Sequence, residues 1–320
     1  MEKRVYDIII IGGGPAGLTA GIYSARAGMD VLLIESTFSP SLITITDWVE
    51  NYPGFPEGIG GFELVEKFRQ QAINCGLKSV FGDVNGIARE ALNNKDVWKV
   101  IADENYFAHA IIFATGANHA KLGCPGEAEF TGKGVSYCAT CDGPFYRDKK
   151  VVVVGGGDTA VQEAIFLTKF ASKVTLVHRR DSLRATAVLR DRAKANEKIA
   201  FELDSVIESI NGDKLVEGVT IKNTKTPTVK NLQADGVFIF TGLIPNTRLL
   251  EGMASLDPNG YIIVDGDMKT SEPGIFSCGD CNKKLLRQVV TACGEGATAA
   301  FSAQHYVEDI YGTAYAGRGK

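Results

Sequence analysis

The sequence predicts an α/β protein built from two Rossmann-like dinucleotide-binding domains, and three observations lead there. An apolar run, a Gly-x-Gly-x-x-Gly turn and a helical stretch follow one another from residue 7 to about residue 28, and the succession returns from residue 151 onward. The 36 glycines of the 320-residue chain also cluster directly after short apolar runs. Glycine at a strand-to-helix turn lets the backbone close on a pyrophosphate, so this placement is that of a nucleotide-binding unit.

Residues 7–11 (Asp-Ile-Ile-Ile-Ile) suit a parallel strand covered on both faces, and Gly12-Gly13-Gly14-Pro15-Ala16-Gly17 opens a helix reaching about Gly28. The next strand, Val31 to Ile34, ends at Glu35. Gly12 serves the tight turn, Gly14 the close backbone approach, Gly17 the packing of helix on strand, and Glu35 accepts from a ribose hydroxyl. In the second unit Val151 to Val154 lead into Gly155-Gly156-Gly157-Asp158-Thr159-Ala160 and a helix, with the following strand at Val174 to Val177. At the place Glu35 holds in the first unit stands His178, followed by Arg179 and Arg180, with Arg184 close by. A carboxylate there favours a free 2′-hydroxyl and guanidinium forks favour a 2′-phosphate, so the first site suits FAD or NAD and the second NADP.

At roughly 150 residues per domain the length allows about two domains, and 45% hydrophobic with 22% charged residues excludes disorder, a disulfide miniprotein and a fibrous repeat. A net charge of −4 leaves no basic footprint for nucleic acid. No apolar stretch approaches the ~18 residues of a membrane span, and the N-terminus enters a strand without a signal-peptide pattern, so a cytoplasmic enzyme is expected. In that compartment the seven cysteines (75, 124, 138, 141, 278, 281, 293) are mostly thiols, and a Cys-x-x-Cys pair points to redox work or a metal. A structural zinc needs about four ligands, and the four histidines do not cluster in sequence, which favours redox work.

Between the two units lies Cys138-Ala139-Thr140-Cys141-Asp142-Gly143, and here the chain closely resembles the thioredoxin reductases of the low-molecular-weight bacterial type. The matching pieces include Gly12 to Gly17, Glu50-Asn51-Tyr52-Pro53-Gly54, Ala114-Thr115-Gly116-Ala117, Gly155 to Ala160 and His178-Arg179-Arg180. A last piece runs from Gly279-Asp280 through Arg287-Gln288 to Ala299-Ala300. The resemblance implies a discontinuous FAD-binding domain (residues 1–117 and 248–320) with an NADPH-binding domain (118–247), carrying the cysteine pair, inserted in it. It also implies a homodimer and thioredoxin, or a thioredoxin-like protein, as partner.

Carried over residue by residue, the FAD contacts would be Gly12, Gly14, Pro15, Ala16, Gly17, Glu35, Thr46, Asn51, Val84, Thr115, Gly116, Gly279, Asp280, Arg287, Gln288 and Val289. Asp280 would meet the ribityl chain, and Arg287 and Gln288 would lie near the ring system. The NADPH contacts would be Gly155, Gly157, Asp158, Thr159, Ala160, His178, Arg179, Arg180 and Arg184. Hydride would pass from NADPH to FAD and electrons from FAD to Cys138-Cys141, with Cys141 facing the flavin and Cys138 exchanging with the protein substrate. Asp142 is the candidate acid and base, since a carboxyl buried beside a flavin would be raised by desolvation towards the range of a proton shuttle. The NADPH domain would alternate between two orientations about hinges near residues 117 and 247, with Gly116 and Pro245 as local contributors.

Three departures from the family pattern stand out. Ser39-Pro40-Ser41-Leu42, followed by Thr44 and Thr46, replaces a Gly-Gly-Gln element against the flavin. Pro144-Phe145 replaces an aromatic pair after the redox motif. Cys278-Gly279-Asp280-Cys281 is an extra pair, open to an auxiliary redox role beside the cofactor but read in preference as two small residues packing a tight flavin loop. The same fold could instead serve a dithiol oxidase or a ferredoxin-linked reductase, and the arginines at 179, 180 and 184 argue against both. A non-catalytic redox sensor would not need the full hydride and thiol machinery.

Overall fold

A computed structural model describes residues 3–37, 41–46, 49–92 and 95–313. Ser39 and Pro40 of the altered loop lie outside the described residues. The chain divides into two compact units, one of residues 1–45, 50–118 and 244–320, the other of residues 46–49 and 119–243. It passes from the first to the second along β7 (Ala117–His119) and back along β16 (Leu243–Pro245), which pair as a two-stranded ribbon.

The first unit is built around β1 (Val5–Ile11), which pairs in parallel with β2 (Val31–Glu35) and β6 (Asn105–Phe113). Ile8 to Ile11 are buried on both faces, which is why this strand is an unbroken apolar run and not an alternating one. The sheet order is β3-β2-β1-β6-β5-β4, with β3 at Lys78–Phe81, β4 at Gly86–Leu92 and β5 at Lys95–Ile101. The last strand, β17 (Ile275–Ser277), also pairs with β6, Ile275 opposite Ile111. Helix α1 (Pro15–Arg26) begins on a proline, whose missing N–H costs nothing in a first turn. It ends two residues before the predicted Gly28, where a φ of +78° turns the backbone out of the helix. α1 packs on α2 (Gly61–Asn74) and on α6 (Val289–Tyr311). On the other face of the sheet Trp98, Phe113, Leu250 and Ile262 form a core.

The second unit repeats the logic with a five-stranded parallel sheet, β11-β10-β9-β15-β8, of Ile199–Glu202, Lys173–Val177, Lys150–Val154, Gly236–Ile239 and Val135–Ser136. Side chains alternate along β9. Val151 and Val153 meet Ala160, Val161, Ala164 and Leu167 of α4 (Asp158–Leu167). Val152 and Val154 share a core with Ile207, Val219 and Ile221 of an antiparallel sheet. That sheet comprises β12 (Ser205–Gly212), β13 (Val216–Asn223) and β14 (Val229–Gln233). Two further helices, α3 (Ala139–Asp142) and α5 (Ala187–Lys194), complete the unit. Among the described residues no helix is long and apolar enough to cross a membrane.

Candidate functional site

In the first unit the turn between β1 and α1 is shaped by its glycines. Gly12 has a φ of +114°, and a Cβ there would overlap the Ala114 carbonyl; one on Gly17 would overlap the Gly12 carbonyl. Gly14 is the extended N-cap residue of α1 and, having no side chain, offers the first turn no capping bond of its own. The first-turn N–H groups of Ala16 and Gly17, behind Pro15, carry the positive end of the helix dipole, which suits a phosphate. Ser41, from the altered loop, lies against this turn: a Cβ on Gly14 would stand 3.1 Å from its Oγ. Glu35, at the end of β2, is buried with its carboxylate over Gly13, and Arg69 of α2 grips it through both Nη atoms, Nη2 at 3.0 Å. Arg69 was not anticipated, because nothing local in the sequence ties α2 to β2.

The C-terminal segment presses on the same turn. A Cβ on Gly279 (φ +84°) would come within 2.9 Å of the Ala16 Cβ, and one on Gly296 of α6 would overlap the Ala16 carbonyl. Asp280 follows Gly279; burial pushes its carboxyl up from the ordinary range, while Lys284 and Arg287 pull it back. Arg287 donates to the Asn282 carbonyl at 3.2 Å and lies 4.2 Å over the Tyr261 ring. Gln288 caps α6 at Val289 and accepts from Asn51 Nδ2 at 2.9 Å. Thr115 donates to the Asn246 carbonyl at 2.7 Å, next to Gly116 with its φ of +65°. Val84 packs at the edge of the Trp98–Phe113 core. Thr46, expected with these residues, directly follows the 3₁₀ turn Leu42–Ile45.

In the second unit Gly155 has a φ of +151°, and its missing Cβ makes room for Ala160 and the Phe240 carbonyl. Gly157 caps α4, and the space beside its Cα is open. Asp158 holds the turn from below, its Oδ1 accepting from the Thr186 N–H at 2.7 Å, whereas Thr159 is exposed. The Arg184 N–H bonds the Gly156 carbonyl at 2.7 Å, which brings the basic segment back onto the glycine turn. Arg179, Arg180 and Arg184 are exposed. His178 differs from them: it is buried, with its ring packed on Gly156. Burial first, then the three arginines, holds its imidazole below the usual histidine range. The cationic cluster is therefore the three arginines, with His178 as its neutral floor.

Cys138 and Cys141 form a disulfide across α3, their Cα atoms 5.4 Å apart. Cys138 is the extended N-cap residue, and its Sγ accepts from the Cys141 N–H at 3.2 Å. Once the pair is reduced, that donor favours charge on Cys138. Ser136 Oγ accepts from the Cys138 N–H at 3.1 Å, and the intervening Tyr137 donates to buried Glu127 at 2.8 Å. Glu127 also accepts from the N–H groups of Leu122 and Gly123. Half-buried Asp142 gives its N–H to the Cys138 carbonyl at 3.1 Å, and Phe145, three residues on, is 54% exposed. The other pair, Cys278 and Cys281, is fully buried and thiol in form, and burial raises both thiols. Thiols so placed are poor nucleophiles, which agrees with a packing role.

The family model for pyridine nucleotide-disulphide oxidoreductases matches residues 6–296. Thioredoxin reductase of Listeria monocytogenes is 46% identical over 311 residues, covering 97% of this chain and 96% of that protein. The Bacillus subtilis enzyme of the same name is 45% identical over 315 residues, 98% of each. The crystal structure of thioredoxin reductase from Streptococcus pyogenes superposes with a TM-score of 0.87 at 45% identity, over 96% of this chain and 100% of that one. Two glycine turns of the dinucleotide type, a redox disulfide capping a helix and likeness over nearly the full length agree: the chain belongs to the pyridine nucleotide-disulphide oxidoreductases, and among them to the thioredoxin reductases.

Proposed function

We propose that this chain is an NADPH-dependent flavoprotein disulfide reductase whose substrate is thioredoxin or a thioredoxin-like protein. The observation that carries the reading is the Cys138–Cys141 disulfide, with a backbone donor on Cys138, in the same unit as a glycine turn flanked by three arginines.

The residues fit both cofactors. Gly12 and Gly14 leave a cradle that a Cβ would fill, and Asp280 offers a buried acceptor to a hydroxylated chain; open Gly157 and the arginines offer a second phosphate site. FAD, when bound, accepts a hydride from NADPH and delivers two electrons to the disulfide. The Gly12–Gly17 turn, Glu35, Asn51, Thr115, Gly116, Gly279, Asp280 and Arg287 through Val289 hold FAD. The Gly155–Ala160 turn holds the NADPH pyrophosphate, and Arg179, Arg180 and Arg184 hold its 2′-phosphate.

Exchange then proceeds on this chain's own atoms. The Cys138 thiolate attacks the partner's disulfide; a Cys138–partner S–S bond forms as the partner's S–S bond breaks, releasing one thiolate. Cys141 next attacks Cys138, which reforms the internal disulfide and releases the partner's second thiolate. Asp142 supplies the proton to a departing thiolate. Exposed Phe145 beside the pair is the docking hydrophobe. Exposed Tyr23, Phe62 and Phe301, on α1 and on α2 and α6, each of which packs against α1, support a homodimer formed through these helices. The cytoplasm is the compartment of the enzyme, in keeping with five cysteines held as thiols.

An anaerobic titration of the purified protein with NADPH, and separately NADH, tests the reading. Low NADPH is expected to bleach the flavin and expose two thiols that disappear in Cys138→Ser. If neither nucleotide bleaches the flavin while dithiols do, the arginine cluster has been misread and an oxidase or ferredoxin-linked enzyme replaces this reading.

A further inference from the structure

The expected ribityl-binding carboxylate, Asp280, does not stand alone. Its Oδ1 is buried without a close hydrogen-bond donor among the described residues, and the Lys284 ammonium stands 3.5 Å away as an ion-pair partner. Lys284 is itself only 10% exposed and is clamped by both oxygens of Glu295, at 3.0 and 2.9 Å. Glu295 Oε2 in turn accepts the Gly279 N–H at 2.8 Å. The three charges thus close a ring: the Gly279 turn, the Asp280 side chain that follows it, Lys284, and Glu295 on α6, one residue before the glycine that presses on Ala16.

We propose that Lys284, fixed by Glu295, is a positioning residue for the flavin, holding Asp280 as an ionised acceptor aimed at the hydroxyls of the cofactor's ribityl chain. The proposal rests on the reading of Asp280 as a flavin contact. A buried carboxylate without a partner takes up a proton, and a protonated carboxyl loses its charge and turns one of its two acceptor oxygens into an O–H donor. The charged and titratable groups facing Asp280 are Lys284, Arg287, Tyr261 and Glu295, with the Cys278 and Cys281 thiols beside them. Arg287 is committed to the carbonyls of Asp280, Lys284 and Asn282. That leaves Lys284 as the cation closest to the carboxylate.

The test is FAD rebinding to stripped protein between pH 5.5 and 8.5, followed by flavin fluorescence, for wild type, Lys284→Met, Lys284→Arg, Asp280→Asn and the Lys284→Met/Asp280→Asn pair. Expected results are flat, tight binding in wild type and, in Lys284→Met, binding about tenfold weaker that falls further as pH drops, because the carboxyl now titrates inside the range. Lys284→Arg restores most of the affinity. Against the Asp280→Asn background the Lys284 substitution adds nothing. If Lys284→Met binds FAD as wild type does, or weakens it equally with and without Asp280, the positioning role is overturned. If Asp280→Asn itself binds FAD normally, the underlying reading of Asp280 fails instead. Should Lys284→Met not fold, Glu295→Gln, which loosens the same lysine, is expected to give the milder form of that pH-dependent loss, and its absence counts against the proposal.

Discussion

Tyr137 donates its hydroxyl to the carboxylate of Glu127 at 2.8 Å, one residue before the redox-active Cys138. Glu127 is buried and already takes two backbone N–H groups, so the tyrosine is fastened to a rigid anchor. Tyr137→Phe removes a hydrogen bond to a charged acceptor, worth about 1.5–3 kcal/mol. The expected outcome is a lower Tm and a several-fold slower dithiol exchange, with NADPH-driven flavin reduction unchanged. Stopped-flow measurement of the two half-reactions checks it.

His119 stacks on the Tyr137 ring, centroids 4.5 Å apart, and burial holds its imidazole at about 4. An unfolded histidine titrates near 6.5, so between these values the unfolded chain binds more protons than the folded one. The stability this group contributes is complete above about pH 6.5 and is lost as pH falls toward 4, by an amount of up to about 3 kcal/mol. His119→Phe keeps the stacking and removes the titration. Denaturant melts at pH 7 and pH 5 are expected to show a smaller acid loss in the variant than in wild type.

Arg179, Arg180 and Arg184 are solvent-exposed and tied to the glycine turn through the Arg184–Gly156 bond. Replacing all three with alanine removes the charge-assisted bonds to a 2′-phosphate, each worth about 1.5–3 kcal/mol. KM for NADPH is expected to rise by more than a hundredfold while KM for NADH barely moves. Steady-state kinetics with both nucleotides decide it, and an equal effect on the two would refute the 2′-phosphate role.

Asp142→Asn keeps the size of the side chain and the N–H that bonds Cys138, but removes the proton. Turnover with the protein disulfide is expected to fall at least about tenfold, the lower reach of general acid catalysis, and its pH dependence to flatten. An unchanged pH profile sinks the assignment.

Cys278 and Cys281 are buried thiols, and Cys281 Sγ lies 3.4 Å from the Ser277 Oγ. Changing both to alanine is expected to lower the Tm through lost packing and to leave turnover within about twofold. A large loss in a fully flavin-loaded protein would give the pair a redox role after all.

Both glycine turns were legible because everything that makes them is local: a strand, a turn and a helix within about 20 residues. Glu35 could be read from its place after β2, and so could the arginines after β10. Arg69, Lys284, Glu295 and the Glu127–Tyr137 bond could not, since each depends on where a distant helix or loop passes. His178 was read with the arginines because it follows a strand as Glu35 does. Its burial is a matter of packing against Gly156, which spacing does not carry. The half-exposed strands β12 to β14 have no motif and emerge only as the cover of one face of the second unit.

The pairing of β17 with β6, Ile275 beside Ile111, also sets an order on synthesis. Residues 119–243 form a nearly continuous stretch and can close on themselves while the ribosome is still translating. The first unit cannot: the Ile111–Phe113 end of one edge of β6, beyond its pairing with β5, and the surface of Ala16 stay uncovered until residues 275–296 emerge. The first unit, begun first, is therefore finished last, after the second has had the chance to fold.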